Sequence, residues 1–273
     1  MKVAEAIRDA ARRLSQTSDT ARLDSELLMA HALGTNRSDM LLGHMTDDAP
    51  ADFASLVDRR FHREPIAYIL GDAEFYGRRF IVTPDVLIPR SDSECVVEAA
   101  LEVAPDSGRA LDMGTGSGAL LITLLAERPS LEGIGIDASL SALSVAAANA
   151  ARLGVADRTH MLRADWHHPG WSDDLGQFDL IIANPPYVET IADLDPDVRD
   201  YEPASALFSG VEGLDDYRVI IPQLRQPLTA AGVAVLEIGA SQAAQVSEIA
   251  EENGFKAGLR FDLAGRPRAL ILR

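Results

Sequence analysis

Cysteine is almost absent from this chain, since Cys95 is the only one among 273 residues. A single cysteine excludes an internal disulfide, and chains without disulfides are typical of the reducing cytoplasm, where we expect this protein to reside. Cys95 lies beside Val96 and Val97, with no histidine nearby in the sequence. We therefore interpret Cys95 as a packing residue.

Long apolar runs are also missing. The longest predominantly apolar stretch, residues 119–126, has eight residues, whereas a membrane-spanning helix needs about 20. Residues 1–16 carry charges every few positions, which is unlike a secretory signal. We expect no membrane association. The composition, 47% hydrophobic and 25% charged, is that of a globular protein able to bury a full core.

Basic residues are in deficit: 25 Lys and Arg face 42 Asp and Glu, and the formal net charge is −17. Most of the excess lies in residues 91–273, which hold 13 basic and 28 acidic side chains. Such a field repels a polyanion unless a basic stripe overrides it, and the basic clusters are small. We expect no direct nucleic-acid binding, and the charge favours a basic protein or a neutral small molecule as substrate.

The pattern of apolar residues divides the chain into parts, in line with a prior of about two domains for this length. Helical spacing over residues 2–15, 20–33, 37–43 and 52–63 predicts an all-helical domain, residues 1–72. Residues 73–90 hold aromatic and β-branched residues around Gly77 and Pro84. This pattern predicts a β-hairpin linker.

Short apolar runs and helical patterns alternate from residue 91 to the end, which predicts an α/β domain over residues 91–273. The predicted strands are residues 109–113, 131–136, 159–162, 178–183, 233–238, 258–261 and 269–272. No helix fits between the last two, so they should pair antiparallel. The prediction is a Rossmann-like, mostly parallel seven-stranded sheet, with a ligand crevice at the carboxyl ends of its strands.

The first predicted strand runs into a glycine-rich loop that opens a helix. The strand holds Asp112 near its end, and the loop comprises Gly114, Thr115, Gly116, Ser117 and Gly118. Glycines let the backbone lie against a ligand, and the following helix N-terminus offers free N–H groups. The pattern is G-x-G-x-G and differs from the dinucleotide pattern G-x-G-x-x-G.

Carboxylates also end or follow the next two strands. Asp137, 21 residues after Gly116, can accept both hydrogen bonds of a ribose diol, as it could in a nicotinamide site. Asp165 can accept from an adenine amine, and Trp166 can pack on the base. His167 and His168 have no further ligand at metal spacing, so we predict no metal site and interpret both as exposed.

The fourth predicted strand runs straight into a rigid turn, which carries the sharpest functional signal. The turn consists of Asn184, Pro185, Pro186 and Tyr187. The prolines fix φ and donate no hydrogen bond, which leaves carbonyls and the Asn184 side-chain oxygen as acceptors beside the Tyr187 ring. Rigid acceptors next to a flat ring suit a planar group that carries an NH₂.

The chemistry of such a group explains why acceptors are needed. An amide nitrogen is a poor nucleophile because its lone pair is delocalised. Two acceptors on the NH₂ hydrogens favour the tetrahedral, partly positive nitrogen of a transition state. The lone pair is then free for in-line attack on an electrophile. The substituted nitrogen loses its proton readily to water, so no dedicated base is required.

Two resemblances follow from these motifs. The D-x-G-x-G-x-G loop resembles motif I of class I S-adenosylmethionine-dependent methyltransferases. Most of the chain also resembles the family that methylates the glutamine side-chain amide of peptide chain release factors. The motifs that carry this second resemblance are REPIAYILG at 63–71, EFYG at 74–77, LIPR at 87–90, NPPY at 184–187, YEP at 201–203 and DLAGRPR at 262–268.

The second resemblance implies a helical substrate-recognition domain, a class I methyltransferase domain and, as substrate, the glutamine of a Gly-Gly-Gln loop in class 1 release factors. It implies S-adenosylmethionine as cofactor, S-adenosylhomocysteine as product, and modulation of translation termination. We expect a monomer. The cofactor-binding residues would be Asp112, Gly114, Thr115, Gly116, Ser117, Gly118, Asp137, Asp165, Trp166 and Asn184. The catalytic residues would be Asn184, Pro185, Pro186 and Tyr187.

One segment departs from the family pattern. After Pro89 and Arg90 the family usually has Pro-Glu-Thr-Glu, and this chain has SDSE at 91–94. The acidic and hydroxyl characters are kept and the proline is lost. This change concerns the segment that would cover the cofactor, and the implied reaction class is unchanged.

Two other functions stay open from the sequence: an N-methyltransferase acting on an exocyclic amine of a nucleic-acid base, and an inactive protein that binds S-adenosylmethionine. The charge argues against the first, and the intact motifs argue against the second. Residues 189–202 carry six acids and one arginine. They are either a solvated loop or a contact for a basic release factor.

Overall fold

The computed structural model describes residues 1–273 and divides into two compact units. One unit comprises Met1–Asp72 and Leu194–Tyr201, and the other comprises Ala73–Asp193 and Glu202–Arg273. None of the helices combines the length and the apolar composition that crossing a membrane requires.

The helices and strands alternate from residue 94 onward as the apolar pattern predicts. The helices are α1 (Val3–Leu14), α2 (Ala21–Ala32), α3 (Arg37–Gly43), α4 (Phe53–Phe61), α5 (Ile66–Leu70), α6 (Glu94–Val103), α7 (Ala119–Glu127), α8 (Leu140–Arg152), α9 (Pro196–Arg199), α10 (Asp215–Gln223) and α11 (Ala243–Glu252). The strands are β1 (Asp72–Phe75), β2 (Arg78–Ile81), β3 (Gly108–Met113), β4 (Leu131–Asp137), β5 (Thr159–Arg163), β6 (Phe178–Ala183), β7 (Leu228–Glu237), β8 (Ala257–Phe261) and β9 (Pro267–Leu272).

The helical unit packs the apolar faces of α1 to α5 around one core. Ile7, Leu14, Leu28, Met29 and Met40 are fully buried there. The four helices that the periodicity predicts are present within one or two residues of their predicted ends. The fifth helix, α5, escaped prediction because five residues are too few to show a helical repeat.

A buried ion cluster joins the segment Leu194–Tyr201 to the helices of its unit. The Arg60 side chain, only 8% exposed, donates from Nε to Asp24 Oδ2 at 2.7 Å and from NH1 to Asp197 Oδ2 at 2.5 Å. Asp24 also accepts from the hydroxyls of Ser18 and Thr20, at 2.7 and 2.8 Å. A late segment of the chain therefore has its polar contacts with early helices.

The second unit is built on a seven-stranded sheet in the order β5-β4-β3-β6-β7-β9-β8. Strands β5, β4, β3, β6 and β7 run parallel, and β9 pairs antiparallel with both β7 and β8. The predicted Rossmann-like sheet with an antiparallel end is confirmed. Side chains of β6 alternate between two cores, with Leu180 and Ile182 on one face and Ile181 and Ala183 on the other. Both faces are covered by helices, as a parallel sheet requires.

Two boundaries differ from the sequence prediction. The hairpin strands β1 and β2 end at Ile81, and residues 82–90 form no strand, because Pro84 and Pro89 have no N–H for a ladder. Helix α10 ends at Gln223, and β7 begins at Leu228, whereas the sequence predicted that this strand begins at residue 233. Leu228 pairs with Phe178 of β6, which extends β7 backward across a register shift.

Candidate functional site

A cavity of about 570 Å³ lies in the second unit at the carboxyl ends of β5, β4, β3 and β6. Ten of the predicted site residues line this cavity: Asp112, Gly114, Thr115, Gly116, Ser117, Asp137, Asp165, Trp166, Asn184 and Pro186. Gly118, Pro185 and Tyr187 are not on its wall. The four strands thus bring together residues that are up to 74 positions apart in the sequence, from Asp112 to Pro186.

The glycine loop (residues 114–118) takes a backbone conformation that other residues adopt at a cost. Gly114, Gly116 and Gly118 have φ values of +72°, +53° and +80°. A Cβ on Gly114 would lie 2.9 Å from the Trp166 ring, and one on Gly118 would lie 2.5 Å from Ile122 Cδ1. Gly114 therefore allows the loop to approach the indole, whereas Gly118 serves the packing of α7.

Asp112 is a buried carboxyl with one oxygen unused. Its Oδ2 accepts from the Thr115 hydroxyl at 2.7 Å, and its Oδ1 has no hydrogen-bond partner. Burial raises the pKa of Asp112 to about 7, and the nearby charge of Asp137 adds to this increase. A buried acceptor without a partner is costly, so this oxygen is suited to a cationic ligand group.

Asp137 ends β4 and is held in place by backbone donors. Its Oδ2 accepts from the N–H of Gly116 at 3.0 Å, and its Oδ1 accepts from the N–H of Ser139 at 2.9 Å. Each carboxylate oxygen has further lone-pair capacity. The side chain can therefore receive two more donors, such as the hydroxyls of a diol, without rearrangement.

Asp216 orients the aromatic wall beyond β5. Its Oδ1 accepts from Trp166 Nε1 at 2.9 Å and lies 3.1 Å from His167 Nε2, while its Oδ2 accepts from the Ser209 hydroxyl at 2.7 Å. Both histidines are exposed, as predicted, and His167 also lines the cavity. His168 lies on the surface with Nδ1 3.0 Å from Asp165 Oδ2.

The acceptor turn (residues 184–187) faces two directions. Asn184 and Pro186 line the cavity, and Asn184 Nδ2 donates to the Ser93 hydroxyl at 3.5 Å. Tyr187 points back into the fold, where its hydroxyl donates to Glu237 Oε1 at 3.3 Å. Burial and the charge of Glu237 raise the pKa of the Tyr187 phenol. The flat face of Tyr187 is thus packed against the sheet and is not presented to the cavity.

Glu237, at the end of β7, was not found by sequence reasoning. It is 1% exposed, and its Oε2 has no hydrogen-bond partner. Burial raises its pKa to about 7, against opposing effects of the Ser93 hydroxyl and the Arg268 guanidinium. The sequence signal that could have identified Glu237 is an acidic residue between apolar ones at the end of a buried strand. Asp216 and Ser93 carry no such signal, because their contacts come from distant segments.

Much of the remaining cavity wall comes from motifs that carry the family resemblance but for which the sequence predicted no role. Pro84, Leu87, Pro89, Pro203 and Phe208 line the cavity. Glu202, whose side chain is 1% exposed, pairs with the Arg90 guanidinium and accepts from the N–H of Ile88 at 3.3 Å. The motifs at 87–90 and 201–203 are therefore joined to each other beside the cavity.

Comparisons with known proteins agree with this geometry. The family profile described as the PrmC N-terminal domain matches residues 5–71, and the methyltransferase small domain matches residues 93–198. A release factor glutamine methyltransferase of Cereibacter sphaeroides is 41% identical over 281 residues, which cover 100% of this chain and 99% of that protein. One of Geobacter sulfurreducens is 40% identical over 245 residues, which cover 87% of this chain and 84% of that protein.

The chain belongs to the release factor glutamine methyltransferase family. The resemblance drawn from the sequence motifs is confirmed. A methyltransferase of Pyrococcus furiosus shares the fold, with a TM-score of 0.55 and 15% identity over 80% of this chain and 98% of that one.

The residues of the cavity fit the methyl donor that this family and fold imply. S-adenosylmethionine carries a sulfonium and an ammonium against one carboxylate, so its net charge is positive. The cavity wall holds five aspartates. Its basic side chains are His167 and Arg90, and Arg90 is already paired with Glu202. The Oδ1 atom of Asp112, which has no partner, matches the cationic end of the methyl donor. Asp137 can accept from the two hydroxyls of its ribose, and the indole of Trp166 can pack on its base.

Proposed function

We propose that this protein transfers a methyl group from S-adenosylmethionine to the side-chain amide nitrogen of the glutamine in the Gly-Gly-Gln motif of class 1 peptide chain release factors, which modulates translation termination. The observation that carries the proposal is the position of Asn184 and Pro186 on the wall of the same cavity as Gly114 and Asp137. An acceptor turn on one strand end thereby faces a cofactor loop on the neighbouring strand end.

The cofactor would be held from four strand ends. Asp112 would meet the ammonium, the N–H groups of the glycine loop would lie along the donor, and Asp137 would accept from the ribose hydroxyls. Asp165 and Trp166 would hold the adenine. When bound, the cofactor supplies an electrophilic methyl group on a positively charged sulfur. The excess of carboxylates on the wall favours this charged form over the neutral product.

The acceptor turn would prepare the amide nitrogen. Asn184 Oδ1 is available as an acceptor because Nδ2 is turned to Ser93. The second acceptor would be a carbonyl of the proline pair, of which Pro186 lines the cavity, on a backbone that the two prolines keep rigid. Two acceptors on the NH₂ favour the tetrahedral nitrogen of the transition state over the planar amide. Fixing both reactants in one cavity can supply about 7–11 kcal/mol of the barrier reduction. Tyr187 would stiffen the turn from behind through its bond to Glu237.

Substrate recognition is proposed for the helical domain, residues 1–72, and for the acidic residues at 189–202. Within that segment the structure limits which carboxylates are free for a partner. Asp197 pairs with Arg60, and Asp195 Oδ1 accepts from the N–H of Asp197 at 3.2 Å. Glu189 and Asp193 are exposed. We therefore propose that Glu189 and Asp193 contact a basic surface of the release factor.

Methyl transfer from labelled S-adenosylmethionine tests the proposal. The parallel acceptors are purified release factor, its Gly-Gly-Gln→Gly-Gly-Ala variant and duplex DNA. We also propose that the protein is cytoplasmic and monomeric. Label on the intact release factor alone is the expected result. Label on DNA would support the base methyltransferase instead, and absence of label with retained cofactor binding would support an inactive binding protein.

A further inference from the structure

A fully buried asparagine of α8 has no place in the chemistry described above. Asn149 is 0% exposed and does not line the cavity. The helix around it reads AAANAAR and is otherwise rich in alanine. Asparagine is a weaker helix former than alanine, and a buried amide is costly unless it is hydrogen-bonded. An amide at this position is therefore stabilised by the contacts that it makes with other parts of the unit.

The side chain of Asn149 bridges two backbone segments that are distant in the sequence. Its Nδ2 donates to the carbonyl oxygens of Ser117 and Ile81, both at 2.9 Å, and its Oδ1 accepts from the N–H of Ile81 at 2.6 Å. Both hydrogens of the NH₂ and one acceptor site of the oxygen are thus used. Because the N–H of Ile81 can bond only to the oxygen, these contacts also determine which end of the amide faces Ser117.

Both bridged segments belong to the cavity wall or lead directly into it. Ser117 is a residue of the glycine loop and lines the cavity. Ile81 ends β2, and the chain continues into residues 82–90, which form no strand and which we call the wall segment. Six residues of the wall segment line the cavity. Asn149 therefore connects the glycine loop with the start of a second part of the wall.

Buried polar side chains hold the wall segment near both of its ends. Asn149 binds the backbone of Ile81 immediately before the segment. Glu202 accepts from the N–H of Ile88 at 3.3 Å and pairs with the guanidinium of Arg90. Of these two buried side chains, Asn149 is the one that also binds the glycine loop.

We propose that Asn149 is a positioning residue for the methyl donor, and that it holds the glycine loop and the wall segment at a fixed distance from each other. This inference rests on the proposed function, because the donor is the S-adenosylmethionine assigned there. Asn149 acts through the backbones of Ser117 and Ile81 and does not itself contact the donor. Without its hydrogen bonds the two parts of the wall can move apart, and the cavity then holds the donor less tightly.

Three variants of the full-length protein test the inference. Asn149→Ala removes all three hydrogen bonds, whereas Asn149→Asp keeps the volume and the acceptor for Ile81 but places an oxygen opposite the two carbonyls. Each should raise the KM for S-adenosylmethionine and the Kd for S-adenosylhomocysteine, measured by calorimetry, by about 10- to 100-fold, the cost of misplacing a site by up to about 1 Å. The KM for release factor should stay close to the wild-type value.

Thr159→Val is the matched control. It removes the hydrogen bond from another buried side chain of the same unit, the Thr159 hydroxyl to the Val155 carbonyl at 2.7 Å, outside the cavity. This variant should bind S-adenosylhomocysteine as the wild type does. Urea unfolding shows whether each variant is folded, and if Asn149→Ala is not, the isosteric Asn149→Asp decides the test.

Hydrogen exchange without cofactor separates positioning from a general loss of stability. In Asn149→Ala the N–H of Ile81 loses its acceptor, so exchange should increase at Ile81 and in the wall segment, while β8 exchanges as in the wild type. Wild-type affinity for S-adenosylhomocysteine in the folded Asn149 variants, or exchange that rises evenly over the whole unit, would overturn the inference. If the wild type binds S-adenosylhomocysteine but does not methylate release factor, the proposed function fails and the positioning stands. If it binds no S-adenosylhomocysteine, both fail.

Discussion

Asp112 shows how burial sets the chemistry of a single side chain. Its carboxyl has one oxygen tied to Thr115 and one without a partner, and its pKa is raised to about 7. In the proposed site a ligand ammonium would stabilise the ionised form, so the free energy of cofactor binding would include the cost of ionising this group. Cofactor affinity should therefore respond to pH around neutrality.

Replacement of Asp112 tests this link. Asp112→Asn should raise the KM for S-adenosylmethionine by about 10- to 100-fold, because a charge-assisted hydrogen bond is lost. In the wild type, kcat/KM for the cofactor should rise with pH until Asp112 is ionised, near pH 7, and then level off. The variant should lack this rise. Asp106→Asn, an exposed change outside the cavity, is the control. Equal KM values for the wild type and Asp112→Asn would contradict the assignment.

Some residues of the candidate site could be predicted from the sequence, and others could not. Asp112, Asp137 and Asn184 each lie near the end of a predicted strand or directly after it, so topology alone brings them together. Ser93 and Asp216 reach the site from segments whose local patterns show nothing unusual. The direction of Tyr187 was also beyond prediction, because a tyrosine after two prolines can face either the ligand or the sheet.

Single elements are constrained by the backbone as well as by side chains. The glycine loop is the clearest case, since Gly114 combines a positive φ with close approach to Trp166. Gly154 has nearly the same φ, +73°, but a Cβ added there would meet no other atom within 4 Å. A comparison of the two glycines therefore distinguishes the effect of backbone strain from the effect of contact with the Trp166 ring.

Alanine substitution at both positions makes this comparison. Gly114→Ala and Gly154→Ala should each cost about 1–2 kcal/mol of unfolding free energy, because both place a Cβ in the left-handed region. Only Gly114→Ala should raise the KM for S-adenosylmethionine, by about tenfold or more, since it displaces the Trp166 ring. A similar KM in the two variants would show that the Trp166 contact is unimportant.

The ion cluster of the helical unit makes a second prediction at the scale of elements. Arg60→Ala leaves Asp24 without its guanidinium partner and leaves Asp197 only the longer pair with Arg63, at 3.4 Å. Loss of one partner from a buried ion pair costs about 3–5 kcal/mol. Arg59→Ala breaks a more exposed pair with Glu64 and should cost no more than about 1 kcal/mol. Thermal and urea unfolding of both variants measures the difference, and equal losses would contradict a structural role for Arg60.

Elements were predicted well where apolar runs were long and poorly where prolines intervened. The sheet strands and the helices between them follow from periodicity, and the antiparallel end follows from the short connection before β9. Residues 82–90 were assigned to a hairpin because aromatic and β-branched residues continue there. The missing N–H groups of Pro84 and Pro89 outweigh that preference.

At the scale of the whole molecule, charge decides which partners can approach. A net charge of −17 disfavours polyanions and attracts a basic protein surface, more strongly at low salt. The cavity adds a local excess of carboxylates, which suits a cationic cofactor. The same field therefore serves both substrates in the proposed reaction.

Charge reversal tests the contribution of the acidic segment. Glu189→Lys with Asp193→Lys should raise the KM for release factor and leave the KM for S-adenosylmethionine unchanged. The effect should shrink as salt is added, because exposed charges are screened. Asp157→Lys, an exposed reversal elsewhere in the same unit, is the matched control. If the KM for release factor does not move, residues 189–193 are a solvated loop.

The central claim is that Asn184 presents a release factor glutamine to the methyl donor. The most direct test is peptide mapping by mass spectrometry of release factor treated with the wild-type protein or with Asn184→Ala. We predict one added methyl group on the glutamine of the Gly-Gly-Gln peptide with the wild type, and essentially none with the variant, although the variant is folded. A methyl group on any other residue, or equal modification by both proteins, would contradict the account.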